Sequence, residues 1–245
     1  MSVGIIAVDP TSPFSGGAVL GDRLRMQTHV DDDGVFIRSM ATRGNLGGLA
    51  RATGDAALVL DAAGKDVIVI ETVGVGQDEV DIIRTADVSI VTLVPGTGDE
   101  VQALKAGIME IADIFVVNKS DRDGAERLVS AVESTVGLRI YAPDEWRPPI
   151  LQTTATRGTG VPELVDMIWK FRTRSEGAQA ARRKSRSQYR LQELVSQRFM
   201  DHLERTVLRP GELTSLVDRI TAREIDPYTA ARELLARALA GSRGL

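Results

Sequence analysis

The chain has 245 residues, 43% of them hydrophobic and 26% charged, which allows one domain with a sizeable core plus an appendage. Its net charge of −4 offers no general electrostatic attraction to nucleic acid or an anionic membrane, so neither is expected as a partner. Cysteine is absent and no apolar run nears the ~18 residues that cross a bilayer, which excludes disulfides, thiolate metal sites and spanning helices. The opening "MSVGIIAVDPTS" lacks the basic flank and long apolar stretch of a signal peptide, and a cytoplasmic protein is expected.

In chain order, the first predicted strand is "VGIIAV" (Val3–Val8), followed by "DPTS". Asp9 and Asp22 then flank a glycine-rich loop. That loop suits a switch carrying an acid to a metal, and it equally suits an ordinary strand-to-helix connection. "GGLARATGDAALVLDAAG" has helical spacing, and "VIVIE" (Val67–Glu71) is the next strand. Glu71 ends it, and Gly74 and Gly76 let the following backbone turn close to a ligand. An acid placed so can act on a magnesium ion while a glycine N–H meets a terminal phosphate; a plain tight turn with a solvent-facing Glu71 fits the same residues. "VSIVTLV" (Val88–Val94) leads through "PGTGDE" into the helical "GDEVQALKAGIMEIA". "IFVVN" (Ile114–Asn118) runs directly into "NKSD", and "PILQT" (Pro149–Thr153) into "TTATRG".

Continuous β-branched runs alternating with amphipathic helices indicate a parallel sheet covered on both faces, an α/β fold. Ligands of such sheets bind at the carboxyl ends of the strands, where these polar strings fall. Of them, N-K-x-D after a buried strand carries the most chemistry. The Asp121 carboxylate can accept two N–H bonds from the guanine edge, which adenine does not offer. A strand end capped by polar turn residues fits the same string. "TTA" at Thr153–Ala155 lies where a second base contact would sit.

Beyond about Arg172 the composition changes: from Arg172 to Arg190 there are seven basic residues and one acid. No aromatic platform accompanies them, so a solvated helix or docking surface is expected. Leu191, Leu194, Val195, Phe199 and Leu203 then recur at helical spacing. "PGE" (Pro210–Glu212) breaks this helix, and a later one opens with Asp226 as N-cap and Pro227 at its first position. His29 and His202 lack partners at metal-ligand spacing. Trp146 and Trp169 are expected to pack in a core or interface.

Together, "AVDPTSPFSGGAVLGDRLRM", "ETVGVGQDEV", "PGTGDEVQALKAGIMEIADIFVVNKSD" and "DPYTAARELLARAL" closely resemble the methylmalonyl-CoA mutase-associated GTPase family, across essentially the whole chain. The resemblance implies a P-loop NTPase core with a Rossmann-like, mostly parallel sheet over residues 1–172, and a helical dimerisation or partner-docking arm over 173–245. It implies a GTPase that acts as a homodimeric chaperone of the cobalamin-dependent methylmalonyl-CoA mutase, in cofactor loading and protection, using GTP/GDP and Mg2+. Carried over by position, Asn118, Lys119 and Asp121 are the guanine-specificity residues, with Thr154 and Ala155 as the supporting base contact. Gly74 lies at the phosphates, Asp22 and Glu71 belong to the magnesium shell, and Asp9 is their switch partner. The string Gly96–Lys105 resembles an extra switch, with acids Asp99 and Glu100 and base Lys105. Gln77 falls near the phosphates.

One departure stands out. A phosphate loop reads G-x-x-x-x-G-K-[ST], its backbone N–H groups cradling phosphates. The Gly64–Lys65 pair is followed by Asp66, and Val59 stands at the first glycine's place, so the string is missing. In the family it precedes the "DPTS" strand. A longer natural product carrying it is expected, and without its strand the neighbouring strands would expose hydrogen-bonding edges. A catalytically inactive interaction module, keeping only mutase binding or dimerisation, is the alternative.

Overall fold

The computed structural model describes residues 1–9, 26–29, 31–41, 51–72, 82, 85–96 and 111–241. They fall into two compact units, Met1–Ala180 and Ala181–Leu245. Among the described residues the first unit holds six strands: β1 (Val3–Asp9), β2 (Val35–Ala41), β3 (Val67–Glu71), β4 (Ile90–Leu93), β5 (Ile114–Asn118) and β6 (Ile150–Thr153). All pair in parallel, in the orders β2-β1-β3 and β4-β5-β6. The α/β architecture with parallel sheets therefore follows the sequence expectation. Among the described residues, neither β3 nor β4 has a second partner strand, and Val69 and Ile90 on these edges are 45% and 38% exposed.

Strand β2 escaped the sequence reading. Its "VFIRSMA" is interrupted by Arg38 and Ser39, so it lacks the continuous apolar run that marked the others. Among the described residues it is an edge strand, paired to β1 from Val3↔Val35 to Asp9↔Ala41, and an edge tolerates such polar positions.

In the β2-β1-β3 sheet, Ile6 and Val8 of the central strand are buried against Leu60 of α1 (Arg51–Ala62), with Met40, Ile68 and Ile70 beside them. A Cβ at Gly4 would come within 2.8 Å of Leu60 Cδ1, so the glycine sets how closely the helix approaches.

In the other sheet, Ile114 to Val117 of β5 are all at most 3% exposed, as expected of a strand flanked on both edges. Helix α2 (Ala125–Val136) sets Ala125, Leu128, Val132 and Val136 against Phe115 and Val117; their 3.6-residue rhythm puts all four on one helical face. Asp113 Oδ2 accepts the Ser89 N–H at 2.9 Å, linking the starts of β4 and β5. Trp146 meets the packing expectation: its ring stands edge-on to Phe171 of α3 (Val161–Arg174), centroids 5.0 Å apart, and Nε1 donates to the Asp113 carbonyl at 2.8 Å. Trp169 is outside the core, being 37% exposed with the Arg172 guanidinium 5.1 Å above its ring.

Helix α4 (Glu176–His202) begins at the end of the first unit, and the second unit continues through a π-helical turn (Leu203–Val207), α5 (Glu212–Thr221) and α6 (Pro227–Gly241). Asp226 caps α6 as its position predicts: its carboxylate accepts the Thr229 N–H at 3.0 Å and the Thr229 hydroxyl at 2.6 Å. The Thr229 hydroxyl and amide hold the carboxyl below its ordinary value. Arg237 pairs with Glu212 at 2.8 Å, joining α6 to α5. The apolar stripe of α4 remains largely uncovered, with Leu191 62% and Val195 59% exposed. Among the described residues, no helix is long and apolar enough to cross a membrane.

Candidate functional site

The base-reading candidates lie where two neighbouring strands end. β5 delivers Asn118 and β6 delivers Thr153, directly paired in register. The Ala155 N–H and the Thr153 hydroxyl both donate to Asn118 Oδ1, each at 3.1 Å. A backbone N–H can only donate, so it fixes the carbonyl end of the Asn118 amide toward β6 and leaves the NH2 end to donate elsewhere. Ser120 makes two more ties: its N–H donates to the Thr153 carbonyl at 3.0 Å, and its hydroxyl lies 3.2 Å from that of Thr154.

Between these ties the chain must turn sharply. Lys119 adopts φ 56°, a left-handed conformation costly for a residue with a Cβ and most often met at functional sites. Arg122 N–H closes the turn onto the Lys119 carbonyl at 3.0 Å. Opposite, Thr154 N–H donates to the Thr159 carbonyl at 3.0 Å, folding the "TTATRGTG" loop back on itself. Gly160 is obligatory there: at φ 75° a Cβ would fall 2.1 Å from the Gln152 carbonyl oxygen.

Asp121 sits at the mouth of this junction, its side chain 39% exposed, with the Arg157 guanidinium 3.6 Å away. Thr153 and Thr154 are 3% and 6% exposed, so the two loops share a buried polar seam beneath an accessible carboxylate. The arrangement fits a planar base: an amide able to donate to ring acceptors, and a carboxylate able to accept two ring donors.

A second group of candidates lies at the ends of the other sheet. Asp9 ends β1 and Glu71 ends β3, where Glu71 is paired in register with Ala7. Glu71 is exposed. Among the described residues no group of three or more metal-ligating side chains converges. Magnesium requires only one or two carboxylates alongside substrate phosphates, so the two strand-end acids fit that use. Asp22, Gly74, Gln77, Asp99, Glu100 and Lys105 lie outside the described residues.

Ser120, Arg157 and Gly160 were not among the sequence candidates, and Thr153 was named only as the first residue of the "TTA" string. Ser120 occupies the variable place of N-K-x-D, and Thr153 reads as the end of a strand. Only the close pair Gly158 and Gly160 signalled a tight turn.

A family model described as "Methylmalonyl Co-A mutase-associated GTPase MeaB" matches residues 1–207. The chain is 50% identical to a "Putative GTPase" of Pyrococcus abyssi, over 98% of this chain and 75% of that protein. It is 33% identical to the "Methylmalonic aciduria type A homolog, mitochondrial" of Mus musculus, over 94% of this chain and 57% of the relative. Among solved structures it is similar to a "LAO/AO transport system kinase", with TM-score 0.64 and 26% identity, covering 96% of this chain and 71% of that one.

Proposed function

The chain belongs to the methylmalonyl-CoA mutase-associated GTPase family, and on that premise we propose that it reads guanine at the β5–β6 junction and serves a cobalamin-dependent mutase as a GTP-driven chaperone. The observation that carries the guanine reading is the fixing of Asn118 Oδ1 by Ala155 N–H and Thr153 Oγ1, beside an accessible Asp121.

In this reading Asn118 donates its NH2 group to the base, and Asp121 accepts the N1–H and 2-amino donors. Lys119 lays its aliphatic stem along the base, while Thr154 and Ala155 hold Asn118 and Ser120 in place. Leaving the two guanine donors unpaired is what excludes a base with a different edge. Gly74 is assigned to the phosphates. Magnesium supplies positive charge at the terminal phosphates; Asp22 and Glu71 are proposed to hold it, with Asp9 behind them. Asp99, Glu100 and Lys105 are assigned to a partner-responsive switch.

The helical segment 173–245 is proposed as the arm for homodimerisation and mutase docking, in the cytoplasm. Its exposed apolar side chains, among them Leu191, Val195, Val217 and Leu239, support a role in contact with another protein surface.

The test is competitive titration with GDP and ADP of the native protein and of Asp121→Ala. The native protein should prefer GDP, and the substitution should reduce that preference about 10- to 100-fold, the worth of charge-assisted hydrogen bonds. Equal binding of both nucleotides by the native protein, or an unchanged preference in the variant, would sink the reading.

A further inference from the structure

The base site presents a carboxylate, and that carboxylate already has a cation beside it. We propose that Arg157 is a placeholder on Asp121 that competes with the guanine edge and so tunes both affinity and base choice. This rests on the guanine reading of the β5–β6 junction and names a specificity-determining residue within it.

Three observations carry it. First, Arg157 Nη2 lies 3.6 Å from Asp121 Oδ2, just beyond hydrogen-bonding reach, so the contact is a loose ion pair. Second, the Arg157 side chain is 71% exposed, so it can swing into solvent without breaking any packing, whereas Asp121 sits on a turn held by Ser120 and Lys119. Third, the backbone beneath Arg157 is fixed: its N–H donates to the Thr154 carbonyl at 2.9 Å, at the end of a single 3-10 turn (Ala155–Arg157). The guanidinium is therefore tethered within reach of the carboxylate, while only its head is free to leave.

The competition follows from shape. A guanidinium offers a planar fork of N–H donors to a carboxylate. The N1–H and 2-amino group of guanine form the same kind of fork. Both seek the two carboxylate oxygens in one plane, so the base must displace the cation or share a weakened acceptor. Charge adds a second effect. Xanthine carries an oxygen where guanine carries its 2-amino group, and that oxygen meets repulsion from Asp121 alone but attraction from Arg157. The arginine thus costs guanine some affinity and makes xanthine more acceptable.

The experiment titrates guanosine and xanthosine into the native protein, Arg157→Ala and Asp121→Ala, followed by ligand-observed NMR at low salt and at about 1 M salt. Nucleosides are chosen because they probe the base site without phosphates or metal. For Arg157→Ala at low salt, guanosine should bind about two- to fivefold tighter, the scale of an exposed ion pair, and xanthosine should bind more weakly. At about 1 M salt, where screening acts within ~3 Å, the guanosine gain should vanish. A loop merely loosened by the substitution would shift both nucleosides the same way, and that result overturns the proposal. So does an unchanged or weakened guanosine affinity while the native protein still binds guanosine through Asp121. If guanosine binds none of the three proteins, or binds Asp121→Ala as well as the native protein, the guanine reading itself falls and the placeholder with it.

Discussion

Among the described residues the two sheets of the first unit are built alike, three parallel strands with a buried central one, yet the described residues at their carboxyl ends differ. Around β5 and β6 the site is closed by hydrogen bonds: Ala155 N–H to Asn118 Oδ1 and Ser120 N–H to the Thr153 carbonyl cross from one loop to the next, and Thr154 N–H to the Thr159 carbonyl closes the second loop on itself. Around β1 and β3 the described residues offer two strand-end acids, Asp9 and Glu71, with no converging set of ligands. The two ends are proposed for different chemistry. A planar base is read by short directional hydrogen bonds, so the protein must hold every donor and acceptor in place beforehand. A magnesium ion takes most of its oxygens from phosphates and water, so the protein need supply only one or two.

If the halves are separate in this way, damage to one should be felt at its own site only. The largest effect is expected from Phe171→Ala, which removes the ring that Trp146 packs against beneath α3 and should cost about 3–5 kcal/mol in denaturant unfolding. Because α3 follows the "TTATRGTG" loop directly, guanosine binding should weaken with it. Gly4→Ala attacks the other half by pushing Leu60 of α1 away from β1 and should cost about 1–3 kcal/mol. Guanosine affinity should stay at its native value, and a parallel loss would show that the two halves are mechanically coupled. The smallest effect is expected from Glu71→Gln: stability within about 0.5 kcal/mol of native, since the residue is exposed, and unchanged guanosine binding. Any magnesium dependence of GTP binding should weaken, and an unaltered magnesium titration would remove Glu71 from the metal shell.

The strands that could be read from the chain were those buried on both faces, because a parallel strand with helices on each side has no polar positions to spare. β2 could not be read, since its identity depends on β1 lying beside it rather than on its own composition. The site divides in the same manner. Asn118 and Asp121 were legible because four consecutive residues after a buried strand carry the pattern. Of their supports, the "TTA" string was legible as a place but its bonds were not: Thr153 and Ala155 reach Asn118 across 35 and 37 residues, and Ser120 meets Thr154 across 34.

By itself, then, the sequence determined the parallel α/β class and the Asp226 cap of the last helix, and it supplied the N-K-x-D string that is proposed to read guanine. Each depends on residues near one another in the chain, where hydrophobic periodicity and local hydrogen bonding act directly. Tertiary structure alone decided which way the Asn118 amide faces, why Gly160 must be glycine, and that Arg157 stands beside Asp121. Those outcomes depend on two loops brought together by the pairing of β5 with β6, and a hydrogen bond or an ion pair exists only once both of its partners have arrived.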